Sequence, residues 1–273
     1  MNKTLIDWCE RSWNPGTGCK FGCWYCYARR LAEMRRGPYK ETGFNPTFHP
    51  LRLDEPKRLK TPARIFAGSM CDLLGSWDWQ PGPGYEFPFS PDDVASLVAD
   101  AMKAAPWHAY MVLTKAILAP EGAPNAHKRA TLLAEAGAWL GISLSGWQPH
   151  EALETARFDA FCRYVPTDRK FLSIEPLIGD WLLNERMADE ITRQGIQWVI
   201  LGGLTGPTKL NSLVTTRQAR TKLEGHTHTF ISMLRDRNVA VFVKKNLGIM
   251  PGPQEYPREM QEQLRQTDMF MNA

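Results

Sequence analysis

The sequence predicts an α/β fold of parallel strands alternating with helices. Three observations carry that prediction. Six short apolar runs with the β-branched and aromatic content of buried strands recur along the chain. Segments of helical spacing lie between them. The length of 273 residues suits one large domain with a sizeable core.

The runs are 64–69 (RIFAGS), 109–114 (AYMVLT), 139–143 (WLGIS), 170–174 (KFLSI), 197–201 (QWVIL) and 240–244 (AVFVK). The clearest helix is 91–105, where Val94, Leu97, Val98 and Ala101 share one face behind Ser90 as N-cap. A second runs from 152 to 161, with Cys162 beside it as a core residue. Alternation of this kind winds into either an open doubly wound sheet or a barrel, and the pattern alone leaves both open. The stretch 77–89 (WDWQPGPGYEFPF) breaks the rhythm. It reads either as an inserted loop over the C-terminal strand ends or as a packed surface loop. Residues 252–273 are polar and rich in Gln, Glu and Met, which fits a terminal helix or a frayed end after a domain spanning 1–251.

Composition narrows the class further. An apolar fraction of 43% and a charged fraction of 23% are ordinary for a globular protein, and no run nears the roughly 20 apolar residues of a spanning helix. The opening MNKTLIDW has no apolar stretch of signal-peptide length, so the expected compartment is the cytoplasm. There, six cysteines point to metal binding or chemistry rather than disulfides. A net charge of +4 without a long Lys/Arg run does not by itself identify a polyanionic partner.

Three of the cysteines crowd into Cys19-Lys-Phe-Gly-Cys23-Trp-Tyr-Cys26. Thiolates are the natural ligands of iron–sulfur centres, and three of them on a four-iron cubane leave one iron open for chemistry. Gly16, Gly18 and Gly22 permit the tight backbone such a loop needs, and Tyr25 places a flat side chain beside it. The competing reading is a tetrahedral zinc site completed by Cys9. Zinc sites usually pair their cysteines in two knuckles, whereas these form one compact triplet.

The C-x3-C-x2-C spacing, with an aromatic before the last cysteine, resembles the signature of the radical-SAM superfamily. A broader resemblance runs through WNPGTGC (13–19), CWYCYARRLA (23–32), FHPLRLDEPKRLKTPARIFAGSMCDLL (48–74), MVLTK (111–115), WLGISLS (139–145), FLSIEPL (171–177), WVILGGLTGP (198–207) and VFVKKNLG (241–248). In that order these segments look like a phage- and prophage-associated radical-SAM-like family, loosely similar to spore photoproduct lyase.

The resemblance implies a partial or nearly closed (β/α) barrel of about six to seven parallel strands, with the cysteine loop after the first. It implies a [4Fe–4S] cluster on Cys19, Cys23 and Cys26 that chelates S-adenosyl-L-methionine. Reductive cleavage then gives a 5′-deoxyadenosyl radical. It further implies an electron donor such as flavodoxin or ferredoxin and a bacterial or phage-infected cytoplasm. The expected substrate is a nucleic acid or nucleotide, to be modified or repaired. A small metabolite or peptide substrate, or a zinc-stabilised nucleic-acid-binding module without catalysis, are the rivals. The sequence departs from that family at Cys71, where serine is common, at Leu204, where an acidic residue is common, and at Lys245 or beyond. These departures bear on the substrate and leave the cluster ligands untouched.

In a barrel the C-terminal strand ends face the active site, which nominates further residues. Ser69 and Asp72 end the second strand, where superfamily members hold the methionine amino group; capping of a following helix is the alternative for Asp72. Lys115, Ser143, Ser145 and Glu175 end the next three and are placed to grip ribose or methionine groups, although Lys115 and Glu175 could instead pair as ions across the mouth. Gly202 and Gly203 permit close backbone approach to a ligand such as the adenosyl group, or else make a tight turn that Gly206-Pro207 already supplies. Lys244 or Lys245 is a candidate contact for an anionic substrate. Cys71 is a candidate hydrogen-atom donor, with packing as a small hydrophobe its simpler role. Trp77, Trp79 and Tyr85 would stack a nucleobase if they line the mouth. His226 and His228 read as solvated residues of a polar loop, and no metal is assigned to them.

Overall fold

A computed structural model describes residues 1–34, 39–121, 124–204, 217–248 and 252–271, with backbone alone at 217–220 and 270–271. The first part of the chain holds β1 (Asn2–Lys3), β2 (Arg11–Trp13), β3 (Gly16–Thr17), α1 (Tyr27–Glu33), α2 (Tyr39–Thr42), β4 (Thr47–Phe48), α3 (Glu55–Arg58), β5 (Arg64–Ala67) and β6 (Gln80–Pro81). Then strands and helices alternate: α4 (Pro91–Lys103), β7 (Ala109–Thr114), α5 (Ala126–Glu135), β8 (Trp139–Leu144), α6 (Glu151–Tyr164) and β9 (Lys170–Ile174). The chain continues through α7 (Glu185–Arg193), β10 (Ile196–Leu201), α8 (Arg217–Asp236), β11 (Ala240–Val243) and α9 (Arg258–Met271).

All six apolar runs are strands of one sheet, ordered β1-β2-β5-β7-β8-β9-β10-β11 and parallel apart from β1. The first parallel strand, β2, was not readable as a run because it is the three-residue RSW. Along each strand the side chains alternate between two buried layers. Phe66, Met111, Trp139, Phe171, Trp198 and Phe242 form an inner aromatic cluster, while Ile65, Val112, Leu140, Leu172, Val199 and Val241 meet the outer helices. Burial on both faces is why the strands read as continuous apolar runs.

The sheet curves into a partial barrel. Four strand steps separate β5 from β10, about 19 Å across a flat sheet at about 4.8 Å per step. Yet the single indole of Trp8 lies 4.7 Å from the Phe66 ring on β5 and 6.0 Å from Trp198 on β10. At the open edge, Asp7 accepts a hydrogen bond from the Lys245 backbone at 2.9 Å and ties the end of β11 to the N-terminal segment.

The helix expected behind Ser90 is α4, closed by a reciprocal capping box between Ser90 and Asp93. Its buried face is Val94, Ala95, Val98, Ala99 and Met102, so Leu97 and Ala101 lie at the margin rather than on the centre line. Cys162 is buried in the last turn of α6. The polar C-terminal segment forms α9 and seals the strand N-termini: Met260 enters the inner cluster, Glu259 pairs with Arg169 at 2.6 Å and Gln263 bonds the His108 carbonyl at 3.0 Å.

One open alternative is decided and one expectation is corrected. The 77–89 stretch does not present its aromatics together at the mouth. β6 pairs with β4 in a small sheet, Trp79 is fully buried, Trp77 packs against Phe21, and Tyr85 faces a separate recess with His49 and Arg52. The insertion folds back on itself through the Trp79–Phe89 pairing, which buries the Trp79 indole, while Trp77 lines a recess with Phe21 and Lys115. His226 and His228 lie on α8 rather than in a loop, and His226 meets the Asp180 carboxylate at 3.0 Å. The proposed Gly206-Pro207 turn lies outside the described residues.

Candidate functional site

Going up the barrel, the inner layer changes from aromatic to polar. Period-two alternation carries Met111 to Lys115 past β7, Trp139 to Ser143 and Ser145 on and beyond β8, Phe171 to Ser173 and Glu175 on and beyond β9, and Phe242 to Lys244 past β11. The sequence-nominated residues thus share one face at the C-terminal mouth. Ser173 belongs with them: it pairs in register with Ser143, and its buried hydroxyl has no hydrogen-bond partner among the described residues. The same alternation, counted back from Glu175, would have found it.

The cysteine loop runs between β3 and α1. Gly18 anchors it, donating its N–H to the Met70 carbonyl at 3.0 Å with φ at +88°, where an added Cβ would overlap the Asn45 backbone. The Cys19 sulfur accepts from the Phe21 amide at 3.5 Å, and Cys26 caps α1 through its sulfur, which accepts from the Arg29 amide at 3.4 Å. All three cysteines are free. They lie within mutual electrostatic reach: burial chiefly pushes the Cys19 thiol up to about 12, and the nearby Asp72, Cys23 and Cys26 push the same way. Burial also raises Cys23, against the opposing pull of the Lys115 ammonium.

These donors fit the chemistry of an iron–sulfur centre, which takes soft thiolate ligands. Among the described residues no three His, Cys, Asp or Glu side chains converge tightly enough to hold a metal ion as they stand. Ligation therefore requires the loop to tighten, and Cys19 and Cys23, whose thiol forms burial favours, to release protons. Cys9 does not join the triplet. It packs in the inner cluster near Trp8 and Phe66, so the fourth zinc ligand considered for it is not in place.

Around the loop the structure assigns several nominated residues to holding the mouth together. Asp72 is buried and accepts from the Thr114 hydroxyl at 2.8 Å and from the Lys115 and Leu74 amides at 2.8 and 3.1 Å. It ties β5 to β7 rather than capping a helix, and burial raises its carboxyl above the usual range. Ser69 exchanges hydrogen bonds with Asn14 at 3.1 and 3.2 Å, and its carbonyl accepts from the Tyr27 hydroxyl. Asn14 was not legible because β2 carries no apolar signal, and Tyr27, which opens α1, because its partner lies 42 residues on.

Lys115 does not pair with Glu175. Its ammonium donates to the Ser143 hydroxyl and lies 5.5 Å over the Tyr25 ring, and burial lowers its pKa. Glu175 pairs with Lys244 instead. Gly202 makes room for that pair, since a Cβ there would lie 2.8 Å from the Glu175 carboxyl carbon and 2.9 Å from Lys244 Cδ. Gly203 is bound through its backbone to the Asn246 amide at 3.1 and 2.8 Å. The close approach expected of the two glycines is therefore to this pair and to Asn246. Ser145 is held by Glu154 of α6, which accepts from its amide at 2.8 Å and its hydroxyl at 2.6 Å. Cys71 is half-buried, its sulfur packed against the glycine backbone at Gly16 and Gly68, and burial raises its thiol well above the ordinary value.

One rim feature was missed. Trp24 of the cysteine loop is 43% exposed and stands edge-on to Trp147 at 5.9 Å, and Trp147 meets His150 at 4.4 Å. No sequence pattern links positions 24 and 147; only the barrel brings them together.

Fold and site together define an α/β protein, a curved parallel sheet with a three-cysteine loop at the C-terminal ends of its strands. The chain belongs to DUF5131, a family of proteins of unknown function, whose model matches residues 3–214. No curated protein matches the chain. Among the described residues no helix is long and apolar enough to cross a membrane.

Proposed function

We propose that this protein is a radical-SAM enzyme that acts on a nucleic acid or nucleotide, with a [4Fe–4S] cluster on Cys19, Cys23 and Cys26. The observation that carries the reading is the gathering of three free thiols on one loop above the polar end of the barrel interior. Held by these three cysteines and reduced by an external electron donor, such a cluster would supply the electron for cleaving S-adenosyl-L-methionine to methionine and a 5′-deoxyadenosyl radical, the hydrogen-abstracting species.

The chain's own residues do the positioning. The Gly18–Met70 bond and the Asn14–Ser69–Tyr27 knot hold the loop against the end of β5. The Lys115 ammonium opposes the negative charge that ligation places on Cys23. Ser143 and Ser173 offer adjacent hydroxyls to a polar ligand. The aromatic floor of Trp8, Phe171 and Trp198 excludes water from below. The nucleic-acid reading is supported by the net charge of +4 and by the Trp24–Trp147 rim, a surface on which bases stack.

The test is anaerobic purification with iron and sulfide reconstitution. A brown protein with about four irons and a cubane spectrum is expected. It should form 5′-deoxyadenosine with reductant, and Cys23→Ala should abolish that product. A colourless protein holding one tight zinc, or equal product from the variant, overturns the reading. Acceleration by peptides or small metabolites, and by no DNA, RNA or nucleotide, overturns the substrate assignment alone.

A further inference from the structure

Beside the cysteine loop lies a recess of about 750 Å³, within the size range of small-ligand pockets. Its walls include Lys20 and Phe21 of the loop, Trp77, Lys115 and Arg157. The distribution of charge in it is uneven. Arg129, on the far side, is occupied by Asp92 at 2.7 Å and by the Leu74 carbonyl at 3.1 Å. Arg157 is not: among the described residues it has no ion pair, and its buried Nε, like that of Arg129, has no hydrogen-bond partner. The carboxylate one turn back on the same helix, Glu154, is taken by Ser145 and Gly146. Lys115 stands close enough that the Arg157 charge adds to burial in lowering its pKa. Asp78 is the acidic residue on this wall besides Asp92, and it is exposed.

Two cations held near each other in a partly buried wall repel; the Ser143 hydroxyl and the Tyr25 ring replace part of the hydration Lys115 loses, whereas the Arg157 Nε has no such partner among the described residues. That arrangement is stable only modestly by itself and becomes favourable when an oxyanion enters. The guanidinium offers a planar fork to two oxygens, while the ammonium adds a point charge. Next to the cations, the rings of Phe21 and Trp77 meet edge-on at 5.3 Å and give the recess an apolar side. Charge on one side and aromatic surface on the other match a nucleotide unit, phosphate against the cations and base against the rings.

We propose that this recess is a nucleotide subsite in which Arg157, Lys115 and Lys20 hold a phosphate of the substrate beside the cysteine loop. The proposal rests on the nucleic-acid reading above and names the part of the substrate that is gripped. It adds a binding role for Arg157 and Lys20, which lie outside the cofactor ligands.

The test is calorimetric titration of the full chain with the four deoxynucleoside monophosphates, the matching nucleosides, a single-stranded DNA oligonucleotide and S-adenosyl-L-methionine, at low and physiological salt. Monophosphates should bind about tenfold or more tightly than nucleosides, with an advantage that shrinks as salt rises. Arg157→Gln should remove that advantage and leave nucleoside binding in place. Lys20→Gln, at an exposed position, should weaken monophosphate binding about threefold and serves if the arginine variant does not fold. Equal affinity for nucleoside and monophosphate overturns the proposal. So does an unchanged phosphate advantage in both variants, or an arginine variant that loses S-adenosyl-L-methionine binding instead. Binding is read without cluster turnover, so failure here leaves 5′-deoxyadenosine formation standing, and failure of that reaction leaves the phosphate advantage standing.

Discussion

The Lys244 ammonium on the end of β11 bonds the Glu175 carboxylate beyond β9, directly over Gly202 of the strand between them. The pair spans three neighbouring strands and fixes their ends at the mouth. Both groups are mostly shielded, at 10% and 22% exposure, so screening weakens the pair only in part. Lys244→Met, which strands the carboxylate, should cost about 1–3 kcal/mol in urea denaturation. Adding Glu175→Gln to it should recover part of that loss; a double variant less stable than Lys244→Met alone would show that the pair is not the unit that matters.

Gly18 should not tolerate a side chain. Its φ of +88° and the Asn45 backbone against its α-carbon oppose any Cβ. Gly18→Ala should destabilise the fold by at least about 2 kcal/mol and lower iron retention after reconstitution. A variant with unchanged midpoint and unchanged iron would disprove the anchoring role of the Gly18–Met70 bond.

Cys71→Ser separates packing from ligation. Its sulfur sits against Gly16 and Gly68 rather than on the loop, so the variant should keep the iron content of the parent. Cys26→Ser should lose most of it. Iron quantification after identical reconstitution decides, and equal loss from both would make Cys71 a ligand.

His49 gives acid sensitivity with a definite sign. It is buried, bonded to the Thr17 hydroxyl at 2.8 Å, and burial with the neighbouring Arg52 lowers its pKa to about 4. The unfolded chain therefore binds the proton first as pH falls from about 6.5 towards about 4, and stability drops by about 1.4 kcal/mol per pH unit across that window. His108, also lowered by burial, acts in the same direction. His49→Gln should consequently flatten the slope without abolishing it. Midpoints from pH 7.5 to 4.5 measure this, and parallel curves for parent and variant would refute it.

Much of the fold is legible in sequence because the sheet is buried on both faces. Trp198-Val199-Ile200-Leu201 is apolar whichever way it faces, so strands of this kind announce themselves. The mouth is less legible, for two reasons. β2 is three residues long and polar at two of them, which hides Asn14 and its knot with Ser69. Pairings such as Glu175–Lys244 depend on which strand ends become neighbours, and residue type at a strand end does not specify this. Alternation was enough to place Ser143, Glu175 and Lys244 on one face of the sheet; their partners needed the curvature.

Trp8 draws together strands formed from residues 64–67 and 196–201, and Asp7 reaches residue 245. Contacts so distant in sequence set the timetable of folding. During synthesis the cysteine loop emerges early, but the strands that complete its surroundings emerge last. The thiols thus spend most of translation without their enclosure, and a metal centre delivered before the C-terminal strands arrive would meet an open loop rather than a finished barrel. The indole at position 8, among the first residues made, gains its full packing only when residues 196–201 have joined the sheet, so the start of the chain waits on its last third.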